Sequence, residues 1–222
     1  MKSKSAMGAA FFATFITAQA AMGSAMANTV SQPADDNASA LSQAEYDQTL
    51  PPVGFVKFCA ANSAACKREG LLSGLDNKPV EMTPERWTEL YQINTSINAS
   101  IKPESDQDQY GEPERWAYPV SAGDCEDYAL LKQRELDDAG FGLRNLRMTV
   151  VLDEHGEGHA VLTVVTSMGD YVLDNRRNDI LLWQDTNYTF LKRQAADDPK
   201  HWVALVKAPA VSAPAVASAP KR

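Results

Sequence analysis

The chain has 222 residues, with 21 Lys and Arg against 29 Asp and Glu, a formal net charge of −8, three cysteines and three histidines. An acidic balance excludes the clustered Lys and Arg that a nucleic-acid or anionic-lipid surface demands. It leaves room for a divalent cation, and the length suits a single core.

The first residues follow the three-part plan of a secretory signal peptide. Lys2 and Lys4 precede a short apolar run from Met7 to Ile16, and the small-residue patterns Ala18-Gln19-Ala20 and Ala25-Met26-Ala27 follow. The run is too short for a bilayer, which needs about 20 residues. Cleavage after Ala27 is expected; it removes two lysines and no acid from residues 1–27, so the mature charge becomes −10. A periplasmic or secreted protein is the expectation, with no later segment apolar enough to insert into a membrane. Residues 28–40 read as a flexible polar lead-in, 41–207 as one domain, and 208–222 (APAVSAPAVASAPKR) as a disordered Ala/Pro tail.

In "FCAANSAACK", Cys59 and Cys66 have six residues between them, with small residues filling the gap. In an oxidising compartment this pair reads as a local disulfide. Cys125 is then the odd thiol, and the count alone leaves it either reactive or inert and buried. Thr83 as N-cap, Pro84 and Glu85 predict a helix start. Trp87, Leu90, Tyr91, Asn94, Ile97, Asn98 and Ile101 mark one face of that helix, and Pro103 ends it. Two asparagines on an apolar face predict hydrogen bonds to an adjacent loop. The Pro-, Gly- and acid-rich stretch from Lys102 to Gly123 reads as a long connection of the kind that often carries function.

A second helix is expected from about Asp124 to Ala139, with Cys125, Tyr128, Ala129, Lys132 and Leu136 on one face and Gly140 and Gly142 closing it. Strands follow at Asn145–Leu152, His159–Ser167, Asp170–Asn175, Ile180–Trp183 and His201–Lys207, separated by Gly, Asp and Asn turns that indicate an antiparallel sheet. Helices first and strands second make the fold α+β. Trp87, Trp116, Trp183 and Trp202 scatter over helix, loop and strand, which suits core and cleft-wall packing better than a ligand-stacking set.

"AGDCEDYALLKQREL" holds the chemistry. Cys125 sits among Asp124, Glu126 and Asp127, whereas a reactive thiol normally sits near positive charge. Its place in the first helical turn offers unpaired N–H groups and the positive end of the macrodipole. A base is still needed. His155 lies in a Gly-rich turn and His201 starts a late strand, while His159 begins a strand directly after Gly158. Asp174 returns on the next strand, and an even-numbered turn puts it on the same face as His159. A tight turn at Met168-Gly169 would set Asp174 opposite Thr163; a turn one or two residues earlier, or a bulge, brings it to His159. Cys125, His159 and Asp174 then form a nucleophile, base and orienter. From spacing alone, a structural histidine and a turn aspartate are the competing readings.

"GDCEDYALLK", "LRMTVV", "GHAVLTV" and "YVLDNR", in this order, resemble the motifs of the bacterial transglutaminase-like cysteine proteinases, the group that contains the LapG-type periplasmic proteases. "PPVGFVKFC", "YGEPERWAYP" and the Asn94/Asn98 helix resemble that group's upstream region, so the likeness spans Pro51 to Tyr188. The resemblance implies a papain/transglutaminase-like fold, N-terminal helices packed on a C-terminal antiparallel sheet, with Cys125 as nucleophile, His159 as base and Asp174 as orienter. It also implies Ca²⁺ bound by Asp124 and Glu126, with Asp127 as a third ligand. Hard carboxylate oxygens suit that ion, and a bound cation would turn the acidic cluster into a positive centre. Otherwise these acids complement the helix N-terminus or pair with Arg.

The resemblance further implies an adhesin-like protein substrate, cut within a small-residue Ala-Ala site to release cells from a biofilm, and an inner-membrane receptor for cyclic di-GMP as regulatory partner. The expected activity is therefore that of an exported cysteine endopeptidase working through a thioester. The Cys125 N–H would hold part of the oxyanion, and Trp116 and its loop are candidates by position for the rest. Amide acyl transfer by a transglutaminase or amidase uses the same nucleophile and base. A non-catalytic peptide-binding module is the third reading, and it has no need of a free thiol in an oxidising compartment.

Overall fold

The computed structural model describes residues 41–67 and 78–207. The expected signal peptide (1–27), lead-in (28–40) and tail (208–222) lie outside the described residues. Among the described residues no helix is long and apolar enough to cross a membrane.

Strand β1 (Gln48–Thr49) leads through Pro51 and Pro52 into helix α1 (Val53–Ala61). Phe55 and Phe58 anchor α1. Phe55 meets Trp116 and Trp202 edge-on, with ring centroids 5.6 and 5.4 Å away. Gly54 makes that approach feasible, because a Cβ there would lie 2.3 Å from Trp116 Cδ1. Gly54→Ala is accordingly expected to displace the Trp116 indole and to destabilise the fold by about 1–3 kcal/mol. An unchanged denaturation midpoint and tryptophan emission would contradict this packing. After α1, Cys59 and Cys66 form a disulfide.

Helix α2 (Pro84–Ser100) starts as its sequence signals: the Thr83 hydroxyl accepts a hydrogen bond from the Arg86 N–H at 3.3 Å. The connection after it is not structureless. Strand β2 (Lys102–Pro103), the short helix α3 (Asp106–Tyr110) and strand β3 (Ala122–Gly123) occupy it, with β2 and β3 paired in parallel. Helix α4 (Cys125–Asp138) follows at once.

The strands are β4 (Leu146–Leu152), β5 (Gly158–Thr166), β6 (Gly169–Leu173), β7 (Leu181–Leu182), β8 (Thr189–Gln194) and β9 (Trp202–Ala204). With β1 they build a seven-stranded sheet in the order β1-β9-β8-β4-β5-β6-β7, and every neighbouring pair is antiparallel. The architecture is α+β, with the helices preceding β4–β9 of the sheet. Leu130 and Leu136 of α4 join Leu146, Met148, Leu162 and Val164 in one core, and Val151, Val161, Val172 and Phe190 form a second cluster.

β8 has no counterpart in the sequence reading. "TFLKRQ" is too polar to announce an interior strand, yet Arg193 is only 3% exposed. Ion pairs to Asp170 at 2.6 Å and Glu45 at 2.8 Å satisfy its guanidinium, so a charged residue occupies a buried place. The last two expected strands are shorter than predicted, at Leu181–Leu182 and Trp202–Ala204.

Candidate active site

Asp124 is the N-cap of α4 but makes no side-chain capping hydrogen bond, so its carboxylate is directed elsewhere. Cys125, the first residue of the helix, is partly exposed. The Ala160 N–H of β5 donates to its Sγ at 3.4 Å, and the thiol itself donates to Glu126 Oε2 at 3.1 Å. Burial, and then the Glu126 carboxylate, push the Cys125 thiol well above its ordinary range. In this arrangement the sulfur is held protonated.

His159 is the second residue of β5 and is 3% exposed. The β5–β6 hairpin turns at Ser167-Met168, one residue earlier than the Met168-Gly169 turn, with Thr166 paired to Gly169 and Leu162 to Leu173. That register sets Asp174 level with Val161, diagonal to His159 rather than directly opposite it, and on the same face. Diagonal neighbours are within reach of long side chains. The gap is closed by a hydrogen bond of 3.0 Å from His159 Nε2 to Asp174 Oδ1, with both side chains 1% exposed.

Asp174 Oδ1 also accepts the Arg176 N–H at 3.0 Å, and Oδ2 accepts the Tyr188 hydroxyl at 2.6 Å. Burial alone would push this carboxyl up. The hydrogen bonds from His159, Arg176 and Tyr188 outweigh burial and hold it at about 2. A carboxylate acceptor at Nε2 requires the proton there, which leaves the Nδ1 lone pair as the basic site. Nδ1 is buried and makes no hydrogen bond to any described residue.

The asparagines of α2 have the expected loop partners. Asn98 Nδ2 donates to the carbonyls of Asp174 and Arg177, each at 3.0 Å, and Asn94 Nδ2 donates to that of Asn178 at 3.1 Å. They fix the segment that carries the carboxylate.

Cys125 and His159 together border two depressions. One, of about 270 Å³, is walled by Glu114, Trp116, Val150 and Lys192. The other, of about 520 Å³, is walled by Lys102, Ser105, Asp108 and Arg176. Trp116 therefore lies at the cleft, as its position suggested, but its indole N–H donates to Glu114 Oε1 at 2.8 Å.

An acidic cluster adjoins the thiol. Asp106, Asp124 and Glu126 each present an oxygen, and these atoms lie within 4.8 Å of one another. Asp106 Oδ1 and Asp124 Oδ1 are buried without a hydrogen-bond partner among the described residues. Burial, reinforced by the Asp124 charge, raises Glu126 to about 8; burial also raises Asp124 and Asp106. Orphaned, mutually repelling carboxylate oxygens suit a hard divalent cation.

Asp127, the third ligand in the sequence reading, does not belong to this group. One position further round the helix, its Oδ1 accepts the Ala117 N–H at 2.8 Å and its side chain packs on Gly123. Asp106 takes its place. Sequence reasoning passed over Asp106 because it lies in the stretch read as a loop; the only signal was the acidic "ESDQD" run.

The profile of the family described as bacterial transglutaminase-like cysteine proteinase, BTLCP, matches residues 45–209. The chain belongs to this family. As a bacterial transglutaminase-like cysteine proteinase it is an enzyme whose chemistry requires a cysteine. Among solved structures it is similar to calcium-bound LapG of Legionella pneumophila, with a TM-score of 0.48 and 21% identity over 60% of this chain and 76% of that one. EGTA-treated LapG of the same organism gives 0.45 and 23% identity over 53% and 67%. No curated protein matches the chain significantly.

Proposed function

We propose that this proteinase is an exported cysteine endopeptidase in which Cys125 is the nucleophile, His159 the base and Asp174 the residue that orients it. One observation carries the assignment. The chain has three cysteines, and with Cys59 and Cys66 bonded to each other Cys125 is the remaining thiol. His159 Nδ1 takes the thiol proton, and the thiolate attacks a peptide carbonyl. The Cys125 N–H, a first-turn donor with no intrahelical acceptor, holds the oxyanion. The imidazolium returns its proton to the leaving amine, and a thioester remains. Water, deprotonated by His159, then attacks the thioester, releasing the acid and restoring the thiol.

Asp106, Asp124 and Glu126 are the residues that would hold calcium. When bound, the ion supplies a fixed positive charge beside the nucleophile. Glu126 has two roles to reconcile, since it accepts the thiol hydrogen bond and belongs to the acidic cluster. Turned toward the cluster, it leaves the thiol to His159.

The two depressions that Cys125 and His159 border leave room for an extended protein segment, which supports an internal peptide bond as the substrate. The motif resemblance supports an adhesin-like surface protein in that role and an inner-membrane cyclic di-GMP receptor as regulator. The Lys2/Lys4 start and the disulfide support a periplasmic location.

Iodoacetamide labelling, mapped by mass spectrometry with calcium and with EGTA, tests the site. Cys125 is expected to label at least about tenfold faster at pH 7 than a cysteine peptide, as an activated thiolate does. EGTA should slow the labelling and His159→Ala should abolish its excess. If Cys125 labels at the rate of the peptide in calcium, the assignment fails.

A further inference from the structure

Among the described residues, every glycine but one has a reason within the fold. Gly111, Gly140, Gly142, Gly156 and Gly169 take positive φ angles, which a side chain would strain. Gly54 and Gly123 are crowded: a Cβ would lie 2.3 Å from Trp116 Cδ1 in one case and 2.7 Å from Asp127 Oδ2 in the other. Gly158 has neither reason. Its backbone is not left-handed, and a Cβ there would meet no atom of the described residues within 4 Å. A strand glycine otherwise marks a bulge or the close approach of another chain. There is no bulge, since β4 and β5 pair without a register shift from Leu146 and Val164 to Leu152 and Gly158. The turn before it is shaped by Gly156 and by the Asp153 carboxylate, which accepts the His155 and Glu157 N–H groups.

What Gly158 borders is the cleft. It is exposed, and with Cys125 and His159 it lines the depression of about 270 Å³ but not the larger one. Lys192, Val150 and Ala160 also line that depression and are paired side by side on three adjacent strands, so they share one face. Gly158, two residues before Ala160, continues that face. The Ala160 N–H meets Cys125 Sγ at 3.4 Å. Position 158 is therefore about 7 Å along the strand from this contact, the length of two residues of an extended substrate. The charges around the depression are engaged. Lys192 Nζ donates to the Leu50 carbonyl at 2.8 Å, and Glu114 accepts the Trp116 indole N–H at 2.8 Å. Shape, more than charge, is what this side of the cleft offers.

We infer that Gly158 is a specificity-determining position: its missing side chain is the gap through which the substrate backbone runs past His159, within about two residues of the bond that is cut. The inference rests on the assignment of Cys125 as nucleophile. A side chain at 158 would occupy this gap and hold an extended chain off the thiol, while leaving the thiol itself open to small molecules.

The test alkylates Cys125 in the wild type, Gly158→Ala and Gly158→Val with three reagents. Iodoacetamide reports the thiol alone. Iodoacetyl-tetraalanine amide and tetraalanyl chloromethyl ketone carry a peptide away from the sulfur in opposite chain directions. Each peptide reagent's rate is divided by the iodoacetamide rate of the same protein. One of the two ratios should fall about tenfold or more in Gly158→Val and about threefold in Gly158→Ala, as the reacting atoms are displaced. The other ratio should hold, because Gly158 borders only one of the two depressions. Iodoacetamide rates should be unchanged, and melting temperatures unchanged or slightly raised, since neither variant meets a clash and both restrict the unfolded chain. If both ratios fall alike, or neither falls, the inference is overturned. Should Gly158→Val not fold, the Gly158→Ala ratios decide the matter. An iodoacetamide rate no faster than that of a free cysteine peptide would sink the nucleophile assignment, and it would still leave these ratios to be measured.

Discussion

Asp174→Ala is expected to slow peptide hydrolysis by about 10³–10⁴-fold, whereas Asp174→Asn slows it by only about 10–100-fold. The difference follows from what each carboxylate oxygen does. Oδ1 accepts from His159 Nε2 and from the Arg176 N–H, while Oδ2 accepts from the Tyr188 hydroxyl. The Arg176 N–H can only donate, so an asparagine must keep its oxygen on that side and present its NH₂ to Tyr188. The tyrosine hydroxyl can rotate to accept it. The imidazole then keeps its tautomer and loses only the charge beside it. Alanine frees the ring and leaves buried donors unpaired, which also destabilises the fold by about 2–4 kcal/mol. Initial rates on a peptide substrate, with melting temperatures for each variant, check this. An alanine variant as active as the asparagine variant would show that Asp174 does not orient the base.

Without calcium, the protein should lose stability as pH rises from about 4.5 to about 8. Glu126 and Asp127 are lifted from ordinary values of 4.5 and 3.8 to about 8 and about 7, first by burial and then by neighbouring charge. The folded chain thus holds protons in this window that the unfolded chain has released. Stability is fully present below the unfolded values and is lost as pH climbs to the folded ones. The expected fall in Tm in EGTA is on the order of 10 °C between pH 5 and pH 8. Calcium should flatten the curve, because a cation on Asp106, Asp124 and Glu126 favours their charged forms. Its stabilisation should therefore grow with pH. Melting curves at several pH values, with calcium and with EGTA, measure this directly, and parallel curves would argue that the ion binds elsewhere.

Cys125 was legible because a helix start and a lone thiol are local properties of a short stretch. His159 and Asp174 were legible through strand parity, which survives an error of register; the hairpin turns one residue earlier than the tightest reading, and the pair still meets. Asp106 and Tyr188 were not legible. Each reaches the site from a different segment, through a chain path that no periodicity describes. β8 was hidden for an electrostatic reason: Arg193 is interior only because Asp170 and Glu45 meet it, and a sequence window sees just the charge. Lys132 was placed on the correct face of α4, but a lysine on a helix face ordinarily keeps its ammonium in water.

The disulfide after α1 bears on how the active enzyme is made. Cys59 and Cys66 are seven residues apart, while Cys125 lies 59 residues beyond Cys66. In an unfolded chain the short loop closes more readily than the long one by about 2 kcal/mol of chain entropy, roughly a 25-fold preference. Oxidation during folding therefore consumes the two nearby thiols first. What is left is a single sulfur with no intramolecular partner, so the chain reaches its folded state with Cys125 reduced.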